Sequence, residues 1–199
     1  VDAEIEKIRA DLPKGLEIVD LMSTKDFLDA SIKNVIKTLF EAILLVILVV
    51  FVFLQSLRST VIPTISIIVS LVGTFAFLMV AGFSLNMITL FALVLVIGTV
   101  VDDSIVVVEA VQAKFDEGYK SAYKASVDAM GGIATALLAT TFVFMAVFIP
   151  VSFMGGTTGT FYTQFGLTMA VAVGISLLNS LTLSPALCAL IMTPHEEVN

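Results

Sequence analysis

Apolar residues in this chain are gathered into runs of about 20, the length an α-helix needs to cross a hydrocarbon core of roughly 30 Å. No water is available there to satisfy a backbone, so a chain of such runs is held to helices that bond within themselves. Composition agrees: 58% of the 199 residues are hydrophobic and 14% charged, whereas soluble domains are roughly a quarter charged. The mean hydropathy is +1.07. The expected fold class is an all-α membrane protein, a five-helix transmembrane bundle with a small N-terminal α/β fragment.

That fragment, residues 1–31, is expected to be the end of a domain outside the membrane. "AEIEKIRADL" places Ile5, Ile8 and Leu12 at helical spacing. Pro13 and Gly15 then interrupt it, and "LEIVDLM", Leu16 to Met22, reads as a short strand. It is too small to fold alone, and no signal peptide is visible. Residues 32–192 hold five predicted spans, at about 35–54, 61–83, 85–111, 133–153 and 165–192. Pro63 fits the first turn of the second, Pro150 ends the fourth, and Pro185 kinks the fifth. Residues 112–132 form a predicted loop, in which Tyr119, Ala122, Ser126 and Met130 recur at helical steps on the membrane surface. Residues 193–199 are a tail.

Orientation follows from the basic residues of short loops, which favour the cytoplasm. "QSLRST" holds Arg58 and the 112–132 loop holds Lys114, Lys120 and Lys124, whereas "GFSLN" and "SFMGGTTGTFYTQ" hold none. The N-terminal segment is therefore expected outside and the C-terminal tail inside.

Within the third span, "LVLVIGTVVDDSIVVVEAV" carries two adjacent carboxylates, Asp102 and Asp103, with Glu109 seven residues on. An aspartate at a span's centre costs about 2.5 to 3.5 kcal/mol on insertion scales. Counting from Lys114 puts Asp102 roughly 18 Å inside the cytoplasmic boundary. Glu109 lies on nearly the same face, about 10.5 Å further along. Gly98 and Thr99 precede the pair by one turn: a hydroxyl there could orient a carboxylate, and a glycine could admit a neighbouring helix. Burial disfavours the charged form, and a like charge alongside disfavours a second ionisation. A cation would oppose both effects, yet no Lys or Arg occurs from Thr60 through Gln112. Carboxylates poised by a movable cation are what a proton relay requires. The competing reading is a static pair that glues helices, but a single Asn or Ser would do that at lower cost.

Other polar residues are weaker signals. Glu41, one turn after Lys37, fits a pair near the outer interface better than a relay. Ser176, Asn179, Ser180, Thr182 and Ser184 line the last span and suggest interhelical hydrogen bonds. Cys188 reads as a small core residue. "MGGTTGTF" lacks the lysine of a phosphate-binding loop, and His195 alone makes no metal site. No cofactor, nucleic-acid binding or enzymatic chemistry is indicated.

At "GTVVDDSIVVVEAV" the chain resembles the resistance–nodulation–cell division (RND) efflux pumps, in their hydrophobe and amphiphile branch. "EAILLVILVVFVFLQSLRSTVIPTISI", "GFSLNMITLFALVLVIGTVVDDSIVVVE", "FIPVSFMGGTTGTFYTQF" and "LTLSPALCALIM" resemble family segments in the same order, from Glu41 to Met192. One departure is Ala110, where the family pattern reads Asn after the glutamate. The resemblance implies the end of the first periplasmic insertion and helices 2–6 of a twelve-helix homotrimer in the inner membrane. It implies proton-driven efflux of drugs and amphiphiles through a periplasmic adaptor protein and an outer-membrane channel. Asp102 and Asp103 would be the proton site, and their lysine partner would come from the second half of the transporter. A metal-exporting relative is one alternative. The other is a non-exporting module of related architecture, of the protein-translocation or sterol-sensing type.

Overall fold

The fold is described for residue 13 and for residues 24–83, 86–156 and 158–194 of the computed structural model. The helix and strand expected before residue 24, and the tail from His195 onward, lie outside those residues. Among the described residues the regular structure is helical throughout: α1 Thr24–Leu54, α2 Leu57–Val80, α3 Met87–Asp116, α4 Ala122–Ser152, α5 Gly159–Leu181 and α6 Leu183–Ile191. With α5 and α6 counted as one, five helical stretches are long and apolar enough to cross a membrane.

Several boundaries differ from the sequence expectation, each for a local reason. Helix α1 begins eleven residues before the predicted span, because "TKDFLDASIKN" contains no Gly or Pro and the helix simply continues beyond its most apolar part. Helix α2 starts at Leu57, so Pro63 falls inside it rather than in its first turn. Proline cannot donate to the carbonyl one turn back. Hydroxyls brace the turns around it: Thr60 Oγ1 donates to the Ser56 carbonyl and Thr64 Oγ1 to the Thr60 carbonyl, both at 2.8 Å. The 112–132 loop is mostly helix, since α3 runs to Asp116 and α4 starts at Ala122. Only 117–121 connects them, turning at Gly118 with a φ of +97° that glycine adopts freely. Pro150 lies in the last turn of α4, which ends at Ser152. The fifth span is broken rather than kinked. Pro185 clashes with the carbonyl four residues earlier, that of Leu181, and the helix stops there; Thr182 separates α5 from α6.

Helix α3 is the hub and packs against all five other helices. Its start is fixed by a capping box: Asn86 Oδ1 accepts from the amides of Ile88 (2.9 Å) and Thr89 (3.1 Å), and Thr89 Oγ1 accepts from the Asn86 amide. The Asn86 side-chain amide also donates to Gln164 Oε1 of α5. At the opposite end, Arg58 Nη1 donates to Thr193 Oγ1 at 3.0 Å, joining the start of α2 to the chain after α6. Helices α4 and α5 cross closely at Gly166, where an added Cβ would lie 2.8 Å from the Phe148 carbonyl oxygen and 2.6 Å from Ser152 Oγ.

Two apolar cores result. One, toward the Asn86 end, contains Leu90, Leu93, Ile97 and Val101 of α3 with Val35, Ile67 and Met169. The other, toward the Arg58 end, contains Val107, Val108 and Val111 of α3 with Ile62, Cys188 and Met192. Between them, α3 contributes the segment that includes Asp102, Asp103 and Ser104.

Candidate functional site

Adjacent residues on a helix point about 100° apart, so Asp102 and Asp103 cannot share surroundings. Asp103 is half-buried toward α5 and accepts a hydrogen bond from Ser176 Oγ at 2.8 Å. Asp102 is exposed, on a face of α3 that also presents Phe91, Leu95, Gly98, Val106 and Glu109. These residues recur at steps of three and four, one continuous stripe of the hub helix that no other helix covers among the described residues.

The hydroxyl expected at Thr99 does not orient a carboxylate: Thr99 Oγ1 donates to its own helix, at the Val96 carbonyl (2.9 Å). A threonine in mid-helix readily bonds back in this way, and Ser176 of α5 supplies the contact to Asp103 instead. Gly98 admits no neighbour from this chain, since a Cβ there would meet nothing within 4 Å. Glu109 lies about one turn beyond Val106, in a cleft of about 1210 Å³ that also takes in Arg58, Gln112, Asp116 and Thr193. Glu41 is on α1, exposed, with Lys37 Nζ at 3.6 Å; it is not brought to the pair. Among the described residues no Lys or Arg forms an ion pair with either aspartate.

On the inner side of Asp103 the helices meet through hydroxyls. Asn179 Nδ2 donates to Ser70 Oγ at 2.7 Å, and Ser66 and Ser184 share a hydrogen bond of 3.0 Å. The interhelical bonds expected of Ser176, Asn179 and Ser184 are therefore present. Thr182 bonds back to the Leu178 carbonyl instead. Ser180 and Ser104 are fully buried, and their hydroxyls have no partner among the described residues. Leaving such a group unsatisfied costs roughly 1–3 kcal/mol. Sequence reasoning did not single out Ser66 and Ser70. The signal was available: Ser59, Ser66, Ser70 and Thr74 mark one face of an otherwise apolar α2, and all four are buried.

A profile of the AcrB/AcrD/AcrF family matches residues 1–199. The toluene efflux pump membrane transporter TtgE of Pseudomonas putida is 44% identical over 197 residues, 99% of this chain and 19% of the relative. The multidrug export protein AcrF of Escherichia coli is 44% identical over 194 residues, 98% of this chain and 19% of the relative. The multidrug resistance protein MdtF of Escherichia coli is 43% identical over 197 residues, again 99% and 19%. The chain thus spans about a fifth (19%) of the length of these curated relatives. A match over the full chain, at this identity, places it: the chain belongs to the AcrB/AcrD/AcrF family of RND efflux pumps.

Proposed function

We propose that this chain is the aspartate-bearing part of a proton-driven exporter of apolar and amphiphilic compounds. The relatives are named for toluene, solvent and multidrug efflux, which supports compounds of that kind as the exported class. The observation that carries the reading is the aspartate pair itself. Two carboxylates lie in mid-span on the hub helix, and no cation of this chain is placed against them among the described residues. A charge that expensive is kept for a function, with its partner nearby. The uncovered stripe holding Asp102 and Gly98 is where a helix of the transporter's second half, carrying a lysine, would pack. Proton loss then strengthens the aspartate–lysine attraction and proton gain releases it, shifting the helices between two packings.

Arg58, Lys114, Lys120 and Lys124 lie in or beside the connectors at one end of the bundle, which supports that end as cytoplasmic in a multi-pass inner-membrane protein. The working assembly is a homotrimer joined to a periplasmic adaptor and an outer-membrane channel. Replacing Asp102 or Asp103 by Asn in the full-length pump tests the relay, because Asn keeps size and hydrogen bonding but cannot titrate. Export and proton counterflow should both stop while membrane insertion persists. Retention of normal export by both variants would return the pair to a structural role.

A further inference from the structure

Helices α2 and α5–α6 run antiparallel, and their polar residues fall in register. Steps of four residues along α5–α6 give Ser176, Ser180, Ser184, Cys188 and Met192. Steps of four backwards along α2 give Thr74, Ser70, Ser66, Ile62 and Arg58. Three contacts fix this alignment: Asn179 to Ser70, Ser184 to Ser66, and Arg58 to Thr193 beside Met192. Each rung is one helical turn, about 6 Å, below the last. The first rung begins at Asp103, through Ser176. The last opens into the cleft that Arg58, Met192 and Glu109 line.

The top three rungs carry hydroxyls and the fourth is apolar. Ser70, Ser66, Ser184, Ser180 and Ser176 are each no more than 1% exposed. The hydroxyl of Ser180 is unpartnered, as is that of Ser104 beside Asp103. A buried hydroxyl of this kind is ordinarily satisfied by internal water making two to four hydrogen bonds. Below Ser66 and Ser184, Ile62 and Cys188 are both 0% exposed and belong to the apolar core at the Arg58 end. That rung closes the polar file from the cleft. It adjoins the break at Thr182, where α6 has lost continuity with α5 and Pro185 follows Ser184.

We propose that this file of hydroxyls is a hydrated proton path between Asp103 and the cleft at Arg58, with Ile62 and Cys188 as its gate. The proposal rests on Asp103 being a proton site. A proton leaving the Asp103 carboxyl is taken up by an oxygen of the file as another proton leaves that oxygen on its far side. One proton is delivered for one lost, and the hydroxyls and waters then rotate back. Asn179 holds Ser70 in line by donating to its oxygen, which leaves the Ser70 hydrogen for the next acceptor. Asp102, on the uncovered stripe, is outside this path. Movement of α6 about the Thr182 break separates Cys188 from Ile62 and admits water from the cleft.

The test uses the full-length pump in proteoliposomes loaded with a pH-sensitive dye. Ser180→Val fills the file and removes its hydroxyl; Ser180→Thr keeps a hydroxyl; Cys188→Ser makes the closed rung polar. Drug-coupled proton flux should fall about fivefold to tenfold in Ser180→Val, the scale of one hydrogen bond lost from the path, and return in Ser180→Thr. Proton leak without drug should rise several-fold in Cys188→Ser. If Ser180→Val fails to insert, Cys188→Ser and Ser180→Thr still decide. Unchanged flux in Ser180→Val together with a tight Cys188→Ser variant would overturn the path, leaving these hydroxyls as packing. Asp103→Asn run alongside separates the two claims. Flux stopped there but unaffected by the file variants retains the relay and rejects the path, whereas normal flux in Asp103→Asn rejects the relay itself.

Discussion

Asp102 and Asp103 are neighbours in the chain with opposite surroundings. Asp103 looks inward, to a serine of α5 at 2.8 Å and a layer of buried hydroxyls beyond it. Asp102 looks outward along a stripe of α3 that the described residues leave uncovered, with Gly98 one turn away and open space beside it. One carboxylate is held by a helix of this chain and the other is exposed. A pair so divided can respond to two environments at once, which a pair buried together cannot.

The largest expected effect separates that pair from everything around it. Asp102→Asn and Asp103→Asn should each stop export in the full-length pump, read as loss of drug resistance at normal protein level. If only one variant does so, the two environments correspond to two roles, and the division becomes sharper still.

A second comparison sets Gly166 against Gly98. Gly166→Ala pushes a methyl against α4, where it would lie 2.8 Å from the Phe148 carbonyl oxygen and 2.6 Å from Ser152 Oγ. It should destabilise the isolated chain by about 1–3 kcal/mol, as overpacking does, measurable as a lower thermal midpoint in detergent. Gly98→Ala meets nothing within 4 Å and should change stability by no more than about 1 kcal/mol, the scale of helix propensity. In the full-length pump the same Gly98 change should impair export if a second-half helix packs on the stripe, as proposed. Unimpaired export would mean that no helix approaches closely there.

Ser176→Ala probes the inner side alone. Removing a hydrogen bond to a carboxylate costs about 1.5–3 kcal/mol when the acceptor is charged, so the infrared carboxyl band of Asp103 should shift. The Asp102 band, isolated in an Asp103→Asn background, should not move. A shift of both would show that the two groups share one environment after all.

How much of this was legible in the sequence depends on what kind of signal each feature leaves. The five spans and the aspartates were plain, since apolar runs and a costly charge are local properties. Helix ends were not. Hydropathy marks where a helix leaves the hydrocarbon, whereas the backbone of α1 and α3 stays helical well past that point. The hydroxyl that meets a carboxylate was hidden for a different reason. Thr99, one turn away in the same helix, looked suited to the task, but its hydroxyl bonds its own backbone. The hydroxyl that does the work comes from Ser176, 73 residues away, and spacing along one helix cannot reveal a contact between two. The break at Thr182 was half visible, because Pro185 announces a disturbance without saying whether the helix bends or stops.

The smallest expected effect lies outside the membrane-spanning segments, at the turn between α3 and α4. Tyr119 donates to Asp128 Oδ2 at 2.5 Å, and that hydrogen bond, with the carboxylate's charge, holds its phenol above the ordinary value of 10.0. A group raised in this way stabilises the folded chain below its unfolded value and stops doing so as pH rises through the folded one. Tyr119→Phe should therefore lower stability slightly at neutral pH, and the difference should shrink as pH rises through the folded value. It should remove one phenol titration step above pH 10.0 from the ultraviolet absorbance. Loss of a step at or below pH 10.0 instead would show that the turn does not hold this bond.

The most direct measurement is infrared difference spectroscopy of the carboxyl region in the full-length pump as a proton gradient is imposed and reversed. A carboxyl C=O band should appear and disappear with the gradient, vanish when Asp102 and Asp103 are both Asn, and be perturbed by Ser176→Ala. A spectrum with no gradient-dependent carboxyl band, or with one that survives the double substitution, would contradict the proton relay.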